Sequence, residues 1–200
     1  MLKTRSKEPE IMDDLSLGGQ AMVRTLEELE VINKRLGGNI LIRDGLNQIY
    51  KQLRPDFPKE YFRKNPLTIA DFGCGGGDLM VEVVRWARNQ ELPVRVIGFD
   101  ANEHIIRYAA RRCEKFPEIE VRQQDIFDND FKMQQFDIII CSFFCHHFHD
   151  QQLVKLFRQL YQQTNHAILI NDLHRHWLAY YSIKLITKFF SKSYLVKNDA

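Results

Sequence analysis

No stretch of this chain approaches the ~20 consecutive apolar residues that span a bilayer. The first ten residues, MLKTRSKEPE, hold no apolar run of the kind that opens a secretory signal. Charge of one sign is not in excess either: 28 Lys and Arg face 26 Asp and Glu, a formal net charge of +2. So slight a balance argues against a nucleic-acid partner. The four cysteines, Cys74, Cys113, Cys141 and Cys145, show none of the paired spacings of a metal finger. They read as reduced thiols, and a cytoplasmic location is expected. Internal repeats and low-complexity segments are absent too. What is present is ordinary for a globular chain: 200 residues, 44% hydrophobic and 27% charged, enough for one real core.

The first dozen residues are charged and expected to be loose. AMVRTLEELEVINKRLGG reads as a helix, with Met22, Leu26, Leu29 and Ile32 at helical spacing and Gly37 and Gly38 as its stop. NILIRDGLNQIYKQLRP reads as a second helix, opened by Asn39 and closed before Pro55, with Gly45 inside it. From residue 67 the pattern changes. LTIADFG, VRVIGFD, IEVRQQD, FDIIICSF and HAILIND are short runs rich in β-branched or aromatic residues. Helical segments over roughly 78–90, 102–115 and 150–163 follow the first, second and fourth. Strands alternating with helices imply a doubly wound, mostly parallel α/β sheet with helices on both faces. The expected division is a helical extension or lid over 1–66 and a ligand-binding domain over 67–200.

In such sheets ligands sit beyond the carboxyl ends of the strands, where the winding reverses. The first strand runs into DFGCGGGD, residues 71–78, four glycines and a cysteine between two aspartates. Glycine there lets the chain turn with positive φ and lets a ligand touch the backbone. The second strand ends in Asp100, placed to accept from a ribose diol, and the third in Asp125. Taken singly, a glycine after a strand is often only a turn, and an aspartate only a helix cap. In this order along one edge they fit an adenosine ligand, with Asp125 at the adenine amine. The dinucleotide fingerprint G-x-G-x-x-G is met by Gly73 and Gly75 but broken by Asp78 in the third slot. An anion there sits badly beside a pyrophosphate. Asp71, two residues before the first glycine, suits the amino end of a zwitterionic ligand better.

DFGCGGGD, GFDAN, QQDIF and FDIIICSF resemble, in that order and spacing, the motifs of class I S-adenosylmethionine-dependent methyltransferases, over about residues 67–175. The resemblance implies S-adenosylmethionine as cofactor, with S-adenosylhomocysteine as product. It implies that Asp71, Gly73, Cys74, Gly75 and Gly77 hold the methionine part, and Asp100 with Ala101 the ribose. Asp125 and Ile126 would meet the adenine, and the backbone near Cys141 and Ser142 would border the transferring methyl. CHHF, residues 145–148, is similar to a segment of small-molecule methyltransferases of the quinone-biosynthesis type. The Asn/Asp-Pro-Pro-aromatic segment of enzymes that methylate amino groups is absent: its place reads CSFFCHH.

Methyl transfer from a sulfonium asks the protein for orientation, plus a base where the acceptor loses a proton. His146, His147 and His149 follow the fourth strand, His174 and His176 the fifth. His147 or His174 is the expected base, with Asp172 to orient it; the alternative is that these histidines cap helices or pack under a lid. HHFH lacks a carboxylate set for magnesium, so no metal is expected. Phe143, Phe144, Phe148, Trp177, Tyr180 and Tyr181 suggest an apolar pocket for a small, lipophilic or phenolic acceptor, methylated on oxygen or alternatively on carbon. Two other readings stand beside this one: a non-catalytic cofactor-binding module or partner subunit, and an NAD-dependent oxidoreductase, which Asp71 and Asp78 disfavour. WLAYYSIKLITKFFSKSYLVK reads as a helix with Lys184, Lys188 and Lys192 on one stripe. It either packs on the sheet or lies over 177–192 against a membrane surface. The family's two further edge strands have no room before Ala200. The chain is therefore expected to be truncated, with its fifth strand bare or covered by a neighbour, as in a homodimer.

Overall fold

The computed structural model describes residues 14–35 and 37–172. Five strands, β1 (Leu67–Phe72), β2 (Val94–Asp100), β3 (Ile119–Gln123), β4 (Phe136–Ser142) and β5 (Thr164–Asn171), form one parallel sheet in the order β3-β2-β1-β4-β5. Around them lie α1 (Gly19–Arg35), α2 (Gly38–Leu53), α3 (Lys59–Lys64), α4 (Asp78–Asn89), α5 (Glu103–Cys113) and α6 (Asp150–Gln163). This is the doubly wound, Rossmann-like architecture that the alternation of patterns implies.

Side chains alternate across the sheet and divide the core in two. Leu67, Ile69, Val94, Val96, Ile138 and Ile140 face one way, under α2 and α4. Ala70, Phe72, Ile97, Phe99, Ile139 and Cys141 face the other, against Leu156 and Leu160 of α6. Burial on both faces is why these strands read as near-continuous apolar runs. From β1 the chain winds outward through β2 to β3, then returns to place β4 on the other flank of β1. The carboxyl ends of β1 and β4 are therefore neighbours at the reversal.

Sequence expectation and structure part at a few places. Asn39 does not open α2: the capping residue is Gly37, left-handed at φ 82°, and its carbonyl accepts from the N–H groups of Ile40 and Leu41. A glycine that turns the chain so sharply starts the helix at Gly38 and leaves Asn39 inside the first turn. Gly45, an unfavourable helix residue, lies where α2 crosses β5. A Cβ there would come within 2.5 Å of Leu169 Cδ1. Strand β3 stops at Gln123, short of Asp125, because the Asp125 carboxylate accepts from the N–H of Phe127 and turns the chain. Helix α3 is too short for a periodic pattern to announce.

The expected loose start, His174, His176, the 177–192 helix and the missing edge strands all lie outside the described residues. Among the described residues no helix is long and apolar enough to cross a membrane.

Candidate active site at the reversal of the sheet

The loop after β1 is a tight turn held from behind. The N–H groups of Gly73 and Cys74 both donate to the carbonyl of Phe99, and Gly77 N–H donates to the carbonyl of Cys74. Gly73, Gly75 and Gly77 take positive φ of 74°, 49° and 80°. Their reasons differ. A Cβ on Gly73 would meet the Phe144 ring at 2.2 Å, and one on Gly77 the Cys113 sulfur at 2.9 Å. A Cβ on Gly75 would meet nothing within 4 Å. Gly77 thus serves helix packing, while Gly75 is the glycine whose backbone is bared outward.

Two carboxyl groups converge on this loop. Asp71 is 3% exposed, and its Oδ2 has no hydrogen-bond partner among the described residues. Burial, then the charges of Asp78 and Asp100, push its pKa up to about 8. Asp100 accepts from Gly75 N–H at 3.3 Å and from Asn102 N–H at 3.0 Å. Burial raises its pKa too, opposed by those hydrogen bonds and by the charge of His147. Asp78, at the start of α4, is raised by burial and then by Glu30.

The N-terminal helices pack over this edge. Leu26 of α1 sits 3.5 Å from where a Gly76 Cβ would lie, and Met22 and Leu26 cluster with Ile105 of α5. Glu30 pairs with Arg112, and Asn102 Nδ2 donates to the carbonyl of Leu17 at 3.0 Å.

Across the reversal, β4 ends in a sharp bend. Phe143 takes a positive φ of 50°, and its N–H donates to the carbonyl of Asn171 at 2.8 Å. Its ring lies 3.4 Å from where a Gly38 Cβ would be, against α2, whereas the next ring, Phe144, lies on Gly73. Phe144, Phe148 and Phe127 then stack edge to face at centroid distances of 4.9 and 5.4 Å. A single 3₁₀ turn, Cys145–His147, follows. It brings His146 Nδ1 to 2.6 Å from Asp172 Oδ1, just beyond β5.

The family described as "Methyltransferase domain" matches residues 69–166, from within β1 to the start of β5. Those residues resemble a methyltransferase domain. The chain is also similar to the plantazolicin methyltransferase BpumL, solved in complex with SAH, at 20% identity and TM-score 0.57, over 88% of this chain and 62% of that one. A second BpumL structure, in complex with a monoazolic desmethylPZN analog and SAH, gives TM-score 0.56 at 20% identity and the same coverage. The DszA carbon methyltransferase gives TM-score 0.56 at 15% identity, over 68% of this chain and 35% of that one. The chain thus spans less than two thirds of the length of each of these structures. No curated protein matches.

Asp71, Gly73, Gly75 and Asp100 stand together at the mouth. The Cys74 thiol is buried, and its Cβ packs 2.9 Å from where a Gly98 Cβ would lie, on the core side. The Ala101 carbonyl accepts from Gln123 Nε2 at 3.1 Å. Ile126 is buried beside Asp125, whose side chain is exposed at the rim. Cys141 is fully buried, its thiol pKa raised well above the ordinary value by a hydrogen bond with Cys145 and by burial. It is no thiolate nucleophile at neutral pH. Ser142 Oγ accepts from Asn171 Nδ2 at 3.3 Å. His149 is the cap of α6, in a reciprocal box with Gln152. His147 stacks beside His146 at 4.2 Å between ring centroids. Among the described contacts Asp172 meets His146, and His174 lies outside the described residues. The HHFH pattern did not announce this contact, which depends on one 3₁₀ turn.

An unpaired buried carboxyl beside bare backbone suits a ligand that brings a cationic donor, and Asp100 suits a diol. The arrangement fits a zwitterionic nucleoside better than a dinucleotide, since Asp78 is buried at the N-terminus of α4, where a pyrophosphate would lie.

Proposed function

We propose that this chain transfers a methyl group from S-adenosylmethionine to an oxygen of a small, lipophilic molecule. The observation that carries the reading is Asp71, buried, unpaired at Oδ2 and set beside the outward glycine. Its carboxyl would hold the amino group of the methionine part and give up its proton in doing so. The bared backbone of Gly75 lets that part approach closely. Asp100, already oriented by Gly75 and Asn102, would take the ribose hydroxyls. Ile126 supplies an apolar contact for the adenine, and Asp125 at the rim is within the same turn. The cofactor supplies an electrophilic methyl on a sulfonium, so the chain itself has to orient the acceptor, exclude water and remove a proton. The Phe127–Phe148–Phe144 stack supplies an apolar wall. His147 is close enough to Asp100 to act on its charge.

Thermal unfolding with S-adenosylmethionine, S-adenosylhomocysteine and NAD, each in excess, tests the cofactor. A ligand at ~100 times its dissociation constant stabilises the fold by about 2.7 kcal/mol. A shift with the first two and none with NAD is expected. Stabilisation by NAD alone would sink the reading. Binding without transfer to any acceptor would leave a cofactor-binding module in its place.

A further inference from the structure

Between β3 and β4 the chain, residues 124–135, forms no strand and only one 3₁₀ turn, Phe131–Met133. It begins at the edge where the site lies. Gln124 N–H donates to the Asp100 carbonyl at 2.9 Å, and Gln123 Nε2 to that of Ala101 at 3.1 Å. Its other fastening comes from α6, which buries two glutamines, Gln159 and Gln163, 5% and 0% exposed, beside Leu156 and Leu160. Gln163 Nε2 donates to the carbonyls of Phe131 at 2.7 Å and Gln134 at 3.1 Å, which turns its Oε1 toward Gln159. Gln159 Nε2 donates to that oxygen at 2.9 Å and to the Ile126 carbonyl at 2.6 Å. Each amide nitrogen has two hydrogens, and all four are used. Flipping either amide would set oxygen against oxygen, so the pair has one orientation. Two apolar side chains could fill the same space without needing partners. The glutamines therefore select one conformation of the loop more than they add bulk stability.

We propose that Gln159, oriented by Gln163, is a positioning residue that fixes the Asp125–Ile126 turn and so makes the site choose adenine over a base without its amine. The inference rests on the methyl-transfer reading above and deepens it. The turn is held from two sides, by the Asp100 carbonyl through Gln124 and by Gln159 through the Ile126 carbonyl. Asp125 Oδ1 accepts from Phe127 N–H at 2.9 Å, which keeps the carboxylate folded onto the turn. An exocyclic amine at that rim would donate to the carboxylate, whereas a carbonyl oxygen in its place would meet a like charge. Rejecting the carbonyl requires a carboxylate that cannot swing away. The Ile126 carbonyl lies one residue along from it, so the bond to Gln159 limits that swing. The bland alternative is that the glutamines merely fasten the β3–β4 connection to α6.

Calorimetry on the 200-residue chain compares S-adenosylhomocysteine with S-inosylhomocysteine, in which a carbonyl oxygen replaces the adenine amine. It is run on wild type, on Gln159→Met and on Thr68→Val. The last is a control for lost stability, since Thr68 Oγ1 donates to Asp137 at the amino end of the strands, away from the site. Wild type should prefer S-adenosylhomocysteine by at least about 10-fold, the size of one hydrogen bond to a charged group. Methionine keeps the length of the side chain without its donor, and the preference should fall below about 3-fold. Thr68→Val should keep the preference although it, too, unfolds at lower urea. Side-chain amide spectra of wild type add a readout that needs no variant to fold. The Gln159 Nε2 protons should exchange slowly in the free protein and shift when S-adenosylhomocysteine binds. A wild type that binds the two nucleosides alike overturns the inference, as does Gln159→Met keeping the full preference or Thr68→Val losing it. So do Gln159 Nε2 resonances that S-adenosylhomocysteine leaves unmoved. A wild type that binds neither nucleoside overturns the methyl-transfer reading itself.

Discussion

Replacing Asp71 by Asn should change how stability depends on pH, in a direction the structure fixes. The folded Asp71 carboxyl holds its proton up to about pH 8, against an ordinary value of 3.8, because burial and the charges of Asp78 and Asp100 oppose ionisation. In the unfolded chain the same group is ionised above roughly pH 4. Between those limits the folded state binds one more proton than the unfolded state. Stability therefore falls as pH rises, by ~1.4 kcal/mol per pH unit, and levels off above the folded value. The whole window amounts to something on the order of 6 kcal/mol, and the stretch from about pH 5 to pH 8 to ~4 kcal/mol. Asparagine is isosteric and does not titrate. Its amide would stand where Oδ2 has no partner, which costs roughly 1–3 kcal/mol at every pH.

The sign therefore lies in the slope and not in either stability alone. Urea unfolding of wild type and Asp71→Asn, without ligand, at about pH 5, 6.5 and 8, gives the difference. Asp100 and Asp78 also have raised values, but they are common to both proteins and largely cancel. Their coupling to Asp71 only spreads the change over a wider range. The variant should gain on wild type by several kcal/mol across the series, while losing affinity for S-adenosylhomocysteine about 100-fold. Wild type should release close to one proton on binding that ligand near pH 7, seen by calorimetry in two buffers of different ionisation enthalpy. A gain below ~1 kcal/mol between the extremes would show that Asp71 is ionised in the free protein and would refute the reasoning.

Gly73 and Gly75, both left-handed, should separate in the same unfolding assay. Gly75→Ala pays only for its left-handed backbone, about 1–2 kcal/mol, whereas Gly73→Ala must also displace the Phe144 ring and should cost at least ~1 kcal/mol more. The reverse order would mean that Phe144 does not rest on the loop. Asn102→Ala removes an acceptor for His104 and Ile105 N–H and the tie to Leu17. It should cost about 1 kcal/mol and raise amide exchange in α1 as well as α5. Unchanged exchange in α1 would show that the Leu17 tie holds nothing in place.

The strands were legible because burial on both faces wrote them as apolar runs, and β2 and α6 begin and end where the pattern puts them. The acid–glycine–acid order was legible because backbone conformation and a buried charge demand particular residue types. What escaped was set by single contacts. Asn39 looked like a cap, yet the left-handed Gly37 beside it had already turned the chain. Strand β3 lost its last two expected residues to an aspartate turn at Asp125, a local bond that competes with the ladder. The His146–Asp172 contact was not legible, because it forms only where one 3₁₀ turn brings the end of β4 to the end of β5.

Phe143 ties these fragments into one design. An aromatic residue at φ 50° is strained, by a cost of order 1–3 kcal/mol, and such strain persists only where the surroundings over-determine it. Here they do so through its N–H on the Asn171 carbonyl and its ring on Gly38. The bend reverses the sense of the chain, so that successive side chains reach separate places: Phe143 to α2, Phe144 to Gly73, His146 to Asp172. The Phe143 ring from the end of β4 thus rests against Gly38, the first residue of α2. One left-handed residue lets the N-terminal helices, the glycine loop and the end of β5 share a single corner. That corner is where a cofactor on Asp71 and Asp100 and its acceptor would have to meet.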